Sequence, residues 1–203
     1  MRPGVELVNA ALLHLGVDPV ATLDTLPEGS IANRVAGRLP AVRDAVLRSY
    51  LWNCAETVAA LPAEPLTAPA FGMAYRAALP AGNIDDPLPW CLRVRRVDTR
   101  EPWAVQGRWL YHNQAGPLTI SYTARVEDPS LMDPLLTELI GGELALALSG
   151  SVGTAELRAR RRELFELVRQ MRQEARRVDA TENSARRLAN GDTGSWVRPR
   201  KGW

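Results

Sequence analysis

The sequence predicts an α+β fold that is mainly α. It consists of a helical bundle with a long C-terminal helix, a small antiparallel β subdomain over 91–126 and an extended C-terminal arm over 189–203. Three observations predict it. Apolar residues recur every three or four positions across 5–15, 30–55, 134–148 and 154–188, the period of a helix with one buried face. Between 91 and 126 the period drops to two, and turn residues break it at intervals. Beyond 188 no period persists. The 203 residues, 46% of them hydrophobic, suit one domain over 1–188 with a real core, followed by the arm.

The elements follow in order. In the first helix Leu7, Val8, Ala11, Leu12 and Leu15 share a stripe, and Gly16 is placed to stop it. A loop with Pro19, Pro27 and Gly29 leads to a second helix from about Ser30. Its apolar face is Ile31, Val35, Leu39, Val42, Val46 and Tyr50, and Pro40 should kink it or begin a second segment. Residues 61–89, rich in Pro, Ala and Gly, read as an irregular crossing. The strands expected next are 91–97, with Leu92 and Val94 on one face, then 103–106 and 109–112 around Gly107, and 118–126.

Asp133-Pro134 reads as an N-cap and first-turn proline for the helix 134–148. That helix is apolar apart from Thr137, Glu138 and Glu143, so it should be buried on several sides, and Gly141-Gly142 should admit close helix packing or a bend. Gly150 closes it. In the last helix Leu157, Leu164, Met171, Val178 and Ala185 repeat every seven residues, with Val168 and Ala175 at companion positions. Arg161 and Glu182 interrupt this seam. The arm carries Trp196 and Trp203, and solvated linkers rarely hold aromatics, so the arm should dock on something.

The net charge of +2 is unevenly spread. Residues 156–203 hold 13 basic against 7 acidic side chains, and 1–155 hold 12 against 16, an acidic body with a basic end. Every cation except Lys201 is Arg, which bonds carboxylates and phosphates in bidentate fashion, although a GC-rich genome is the plainer source of so much Arg. Glu6, Asn9 and His14 interrupt any signal-peptide core at the N-terminus, and no apolar run spans a membrane. Synthesis in the cytoplasm is the expectation, with no membrane partner.

The chemistry-bearing residues do not converge in sequence. His14 and His112 have no nearby acidic or Cys companion, and Cys54 and Cys91 belong to no metal or disulfide spacing. No phosphate-binding, zinc-protease or nucleophile-elbow motif occurs, so no catalytic residue, metal or cofactor is expected. Glu138, Glu143 and Asp133 invite a paired-carboxylate reading, that of a peptidoglycan-degrading virion hydrolase with Glu138 or Glu143 as acid. The i, i+5 spacing sets the two glutamates on different helical faces, and the plainer reading has them facing arginines of the last helix. A basic DNA-binding regulator is the other alternative, but Arg surrounds the last helix rather than forming a stripe.

One ordered series carries further information. It runs through Arg43–Ala55 (RDAVLRSYLWNCA), Leu79-Pro80, Cys91–Val94, Trp103–Val105, Gly107-Arg108 and Leu118–Tyr122. Ala11–Leu23 and Asp179–Glu182 extend it at either end, and 83–90 departs from it as an insertion. The series resembles the tail tubular protein A family, the head-to-tail adaptors of short-tailed bacteriophages and related gene transfer agents. The resemblance implies a helical bundle with a small β subdomain, assembled as a dodecameric ring in the virion tail at the portal vertex. One side would dock under the portal protein through the C-terminal segment. The other would receive the tail nozzle or knob, and genomic DNA would pass through with non-specific contact. On that reading Arg186, Arg187, Trp196, Arg198, Arg200 and Trp203 contact the portal or a neighbouring subunit. The seam Leu157, Leu164, Met171 and Val178 is offered to neighbours.

Overall fold

Helix α1 (Val5–His14) forms where the stripe predicts it, burying Val5, Leu7, Val8, Ala10, Ala11 and Leu12. Gly16, at φ 68°, closes its end with bonds back to the last turn. Asn9 ties down the following loop by donating to the Val20 carbonyl and accepting from its amide. The computed structural model describes residues 4–70, 72–83, 87–150 and 161–182.

Helix α2 (Ile31–Ser49) starts on Ser30, whose hydroxyl accepts from the Asn33 amide at 3.1 Å. It runs through Pro40 as one element. It stops at Ser49 rather than 55, because the chain turns extended at Tyr50 and the Trp52 indole reaches back to the Val46 carbonyl at 3.0 Å. That bond joins one from the Ser49 hydroxyl, which donates to the same carbonyl at 2.8 Å, in satisfying an acceptor of the last turn. A short 3-10 turn, Asn53–Ala55, then feeds directly into strand β1 (Glu56–Leu61).

The strands continue as β2 (Glu64–Ala70), β3 (Met73–Ala78), β4 (Cys91–Val97), β5 (Ala104–Gln106), β6 (Trp109–His112) and β7 (Leu118–Ala124). They build two antiparallel sheets, β1-β7-β4 and β2-β3-β6-β5. This corrects the expected fold. Among the described residues 44% are helical and 25% are strand, so the chain is not a mainly helical bundle with a small β subdomain. The β region opens at Glu56, not at 91.

The segment read as an irregular crossing supplies β2 and β3. Pro65 and Pro69 lie in β2, an edge strand, where a missing N–H need break no ladder bond. The expected hairpin around Gly107 is present as β5–β6, with Gln106 opposite Trp109 and Gly107 at φ 60°.

Helix α3 (Pro134–Leu148) begins as predicted, with the Asp133 carboxylate accepting from the Leu135 amide at 2.7 Å. Its two glycines receive two different helices. A Cβ on Gly141 would lie 2.5 Å from the Ala10 Cβ of α1. One on Gly142 would lie 3.0 Å from Val168 Cγ2 of helix α4 (Arg161–Glu182). The residue pair therefore sets the spacing on both flanks of α3.

Two apolar clusters result. The helical one contains Leu7, Leu12, Val35, Leu47, Trp52, Leu136, Ile140 and Val168, and the sheet one contains Leu61, Ala77, Leu110, Leu118, Ile120 and Tyr122. Helix α2 joins them, with Arg48 donating to the Leu92 carbonyl and Asp44 accepting from Arg125 at 2.6 Å.

Replacing Gly141 with Ala is expected to cost about 1–3 kcal/mol in urea unfolding, since the added methyl meets backbone-bound atoms of α1. Gly37, in the interior of α2 with open space around it, should behave oppositely. Gly37→Ala is expected to stabilise by about 0.5–1 kcal/mol in the same measurement.

Candidate functional site

The Trp-Asn-Cys corner forms a polar joint between three elements. The Asn53 amide N–H donates to Asp179 Oδ1 at 2.8 Å, and Asn53 Nδ2 donates to the Asp179 carbonyl at 2.7 Å. The corner thereby holds the C-terminal turn of α4 against the start of β1. Arg95 reaches the same place from β4. It donates to the Trp52 carbonyl at 2.6 Å and to Thr123 Oγ1 at 2.9 Å, and it lies 3.5 Å from Glu56. Glu56 also accepts from the Ser121 hydroxyl at 2.7 Å. Burial pushes the Asp179 pKa up, the Asn53 amide bond pulls it down, and nearby Arg95 pulls the same way.

The seam of the last helix faces the chain's own core. Leu164, Val168 and Ala175 are buried in the helical cluster and Met171 packs partly against it. Val178 is half-buried. Leu157 lies outside the described residues, as do Ala185 and all six expected contact residues, Arg186, Arg187, Trp196, Arg198, Arg200 and Trp203. Where the described part of α4 does expose large apolar groups, they are Phe165 and Leu167.

The carboxylates of α3 separate as their spacing requires. Glu143 is paired with Arg172 of α4, and Glu138 is exposed with His14 Nε2 3.9 Å away. With Arg172 holding its carboxylate, Glu143 is placed as a structural anion. Both thiols are shifted away from reactivity by burial, Cys54 upward and Cys91 to about 11. No group of three or more His, Cys, Asp or Glu able to hold a metal occurs among the described residues, and no described helix is long and apolar enough to cross a membrane.

One feature escaped the sequence reading. A cleft of about 610 Å³ opens between α2, β4 and the β5–β6 hairpin. Asp44, Arg48, Trp90, Arg93, Trp103, Val105, Arg108 and Arg125 line it. Arg125 is neutralised by Asp44, which also pairs with Arg43 at 3.0 Å. Arg48 instead donates to the Leu92 carbonyl, and Arg108 to the carbonyls of Cys91, Leu79 and Pro80. The Arg108 and Arg125 guanidiniums sit over the Trp90 ring at 4.3 and 4.9 Å. These side chains come from four separate stretches of a region whose net charge is acidic, so no local pattern announces them. The run Cys91-Leu92-Arg93-Val94 is the nearest signal.

No protein-family model matches the chain, and no curated protein matches it.

Two predictions follow from the polar groups. Asp179→Ala removes the acceptor that Asn53 uses and is expected to cost about 1–3 kcal/mol in urea unfolding. Asp179→Asn keeps an acceptor oxygen and loses a charge that burial disfavours, so it should stay within about 1 kcal/mol of the parent. His112 is fully buried, and burial lowers its pKa from the ordinary 6.5. The unfolded chain therefore takes up this proton first. The stability linked to His112 is complete above pH 6.5 and is lost as pH falls from there through the lower folded-state value. Urea midpoints at pH 7.5 and 5.5 should show a smaller drop for His112→Gln than for the parent.

Proposed function

We propose that the chain is a structural head-to-tail adaptor of a phage or phage-like particle. It forms a ring between portal and tail and lines the DNA exit channel. One observation carries the reading. One stretch of the series that carries the family resemblance, Arg43–Ala55, also holds the last described turn of α4 through Asn53 and Asp179. An adaptor needs a rigid body that releases its docking segment from a defined point, and the basic, Trp-bearing residues 183–203 follow that anchored turn. Trp and Arg dominate binding hot spots, which suits portal docking by Arg186, Arg187, Trp196, Arg198, Arg200 and Trp203.

Exposed Leu13 on α1 and Phe165 and Leu167 on α4 are apolar groups that neighbouring subunits would cover. Ring closure follows if these contacts are head-to-tail with the right rotation. On the outside of α4, Arg169 and Arg177 pair with Glu166 and Glu174, one turn earlier. Such pairing neutralises these two arginines, in keeping with a channel that touches DNA weakly and without regard to sequence. The Glu143–Arg172 pair weighs against the hydrolase alternative, because a general acid needs an available proton facing a sugar cleft.

The test is the mass of the purified chain by light scattering, alone and mixed with its cognate portal protein. A ring in the mixture is expected. Deleting 190–203 should leave the thermal midpoint unchanged and abolish co-sedimentation with the portal. Normal portal attachment by the shortened chain would overturn the docking role, and peptidoglycan release that disappears in Glu143→Gln would overturn the adaptor reading.

A further inference from the structure

We propose that the cleft between α2, β4 and the β5–β6 hairpin docks an extended acidic segment of a partner protein. Its carboxylates would meet Arg48, Arg93 and Arg108, and an apolar side chain would rest on Trp103 and Val105.

A guanidinium bonded to a carboxylate is neutralised, whereas one bonded to a carbonyl oxygen keeps its full charge. The Arg48 and Arg108 guanidiniums donate only to carbonyls, and the Arg93 guanidinium has no hydrogen-bond or ion-pair partner among the described residues. Three uncompensated cations therefore share one cleft with the already neutralised Arg125. Arg48 and Arg108 are held in place by their carbonyl bonds, so little side-chain freedom remains for a ligand to freeze out.

Shape and backbone add to this. Trp103 and Val105 expose 39% and 44% of their surface, apolar area next to the cations. Strand β5 is the last strand of its sheet and borders the cleft, whereas the Cys91 and Leu92 carbonyls of the other bordering strand, β4, are already taken by Arg108 and Arg48. An extended chain can use main-chain bonds to such an edge while alternate side chains enter pockets. Nucleic acid fits less well, because single strands stack successive bases on open aromatic faces. Here the Trp90 ring is already covered by Arg108 and Arg125, which leaves Trp103 as the single open ring among the lining residues. The chain's own end is the wrong charge, with Arg198, Arg200 and Lys201. The proposal holds whether or not the chain forms rings.

The experiment uses the full-length chain and a fluorescein-labelled heptapeptide of alternating Glu and Leu, followed by anisotropy. The same peptide with Gln for Glu and a labelled thymidine oligomer serve as comparators. Saturable binding of the Glu peptide is expected, with both comparators weaker by at least about tenfold. Arg93 is exposed, so Arg93→Glu should keep the thermal midpoint and weaken peptide binding by about tenfold or more, with Arg93→Lys falling between. Trp103→Ala should weaken it as well. Arg169→Glu, on α4, should leave it unchanged. No binding of the Glu peptide, equal binding of the Gln peptide, tighter binding of the oligomer, or equal losses from Arg93→Glu and Arg169→Glu would each overturn the proposal.

Discussion

The bond pair between Asn53 and Asp179 is the constraint on which the arrangement of this chain depends. Helix α4 is strongly charged, and along its described length only Leu164, Val168 and Ala175 are fully buried apolar anchors. A helix with so thin an apolar stripe gains little from burial at its far end. The polar joint compensates there, because an Asn whose backbone and side-chain N–H groups both donate to Asp179 fixes position more sharply than an apolar contact does. Arg95 and Glu56 brace the same point from the sheet, so helix layer, sheet and last helix meet in one hydrogen-bonded network.

Much of the helical framework was legible in the sequence. Ser30, Asp133 and Gly16 act as the capping and stop signals they resemble, and the periodic stripes became the buried faces of α1, α2 and α3. The sheet region was only half legible. Gly107 marked its hairpin, but β1 begins where a helix was expected to end, and β2 and β3 were hidden in a stretch whose Pro, Ala and Gly content reads as loop. The information missing from that reading was tertiary: a proline is harmless on an edge, and no local pattern says which strand will be the edge. Strand β7 taught the complementary lesson. Its polar Ser121 and Thr123 are both buried, because Glu56 and Arg95 come from other strands to satisfy them.

The same limit applies to the functional surfaces. A heptad repeat in α4 is a true statement about which side chains share a face, but it does not specify what covers that face. Here the chain's own α3 does, through Gly142. Conversely, the acidic balance of residues 1–155 conceals a strongly cationic cleft, because charges sum along a sequence while fields depend on placement. Whether an Arg ends beside a carboxylate or a carbonyl decides its electrostatic effect, and that choice is made only on folding.

The back-to-back glycines of α3 also bear on the order of events during synthesis. Helix α1 is translated first, yet the helix it crosses at Ala10 is centred on Gly141, about 130 residues later. Helix α2, made next, can cover part of the α1 stripe, but the part that meets α3 must wait until most of the polypeptide has left the ribosome. The sheets lie between the two in sequence and can pair earlier, so the helical layer is expected to close last, with α3 arriving as the keystone that gathers the two ends of the chain around it.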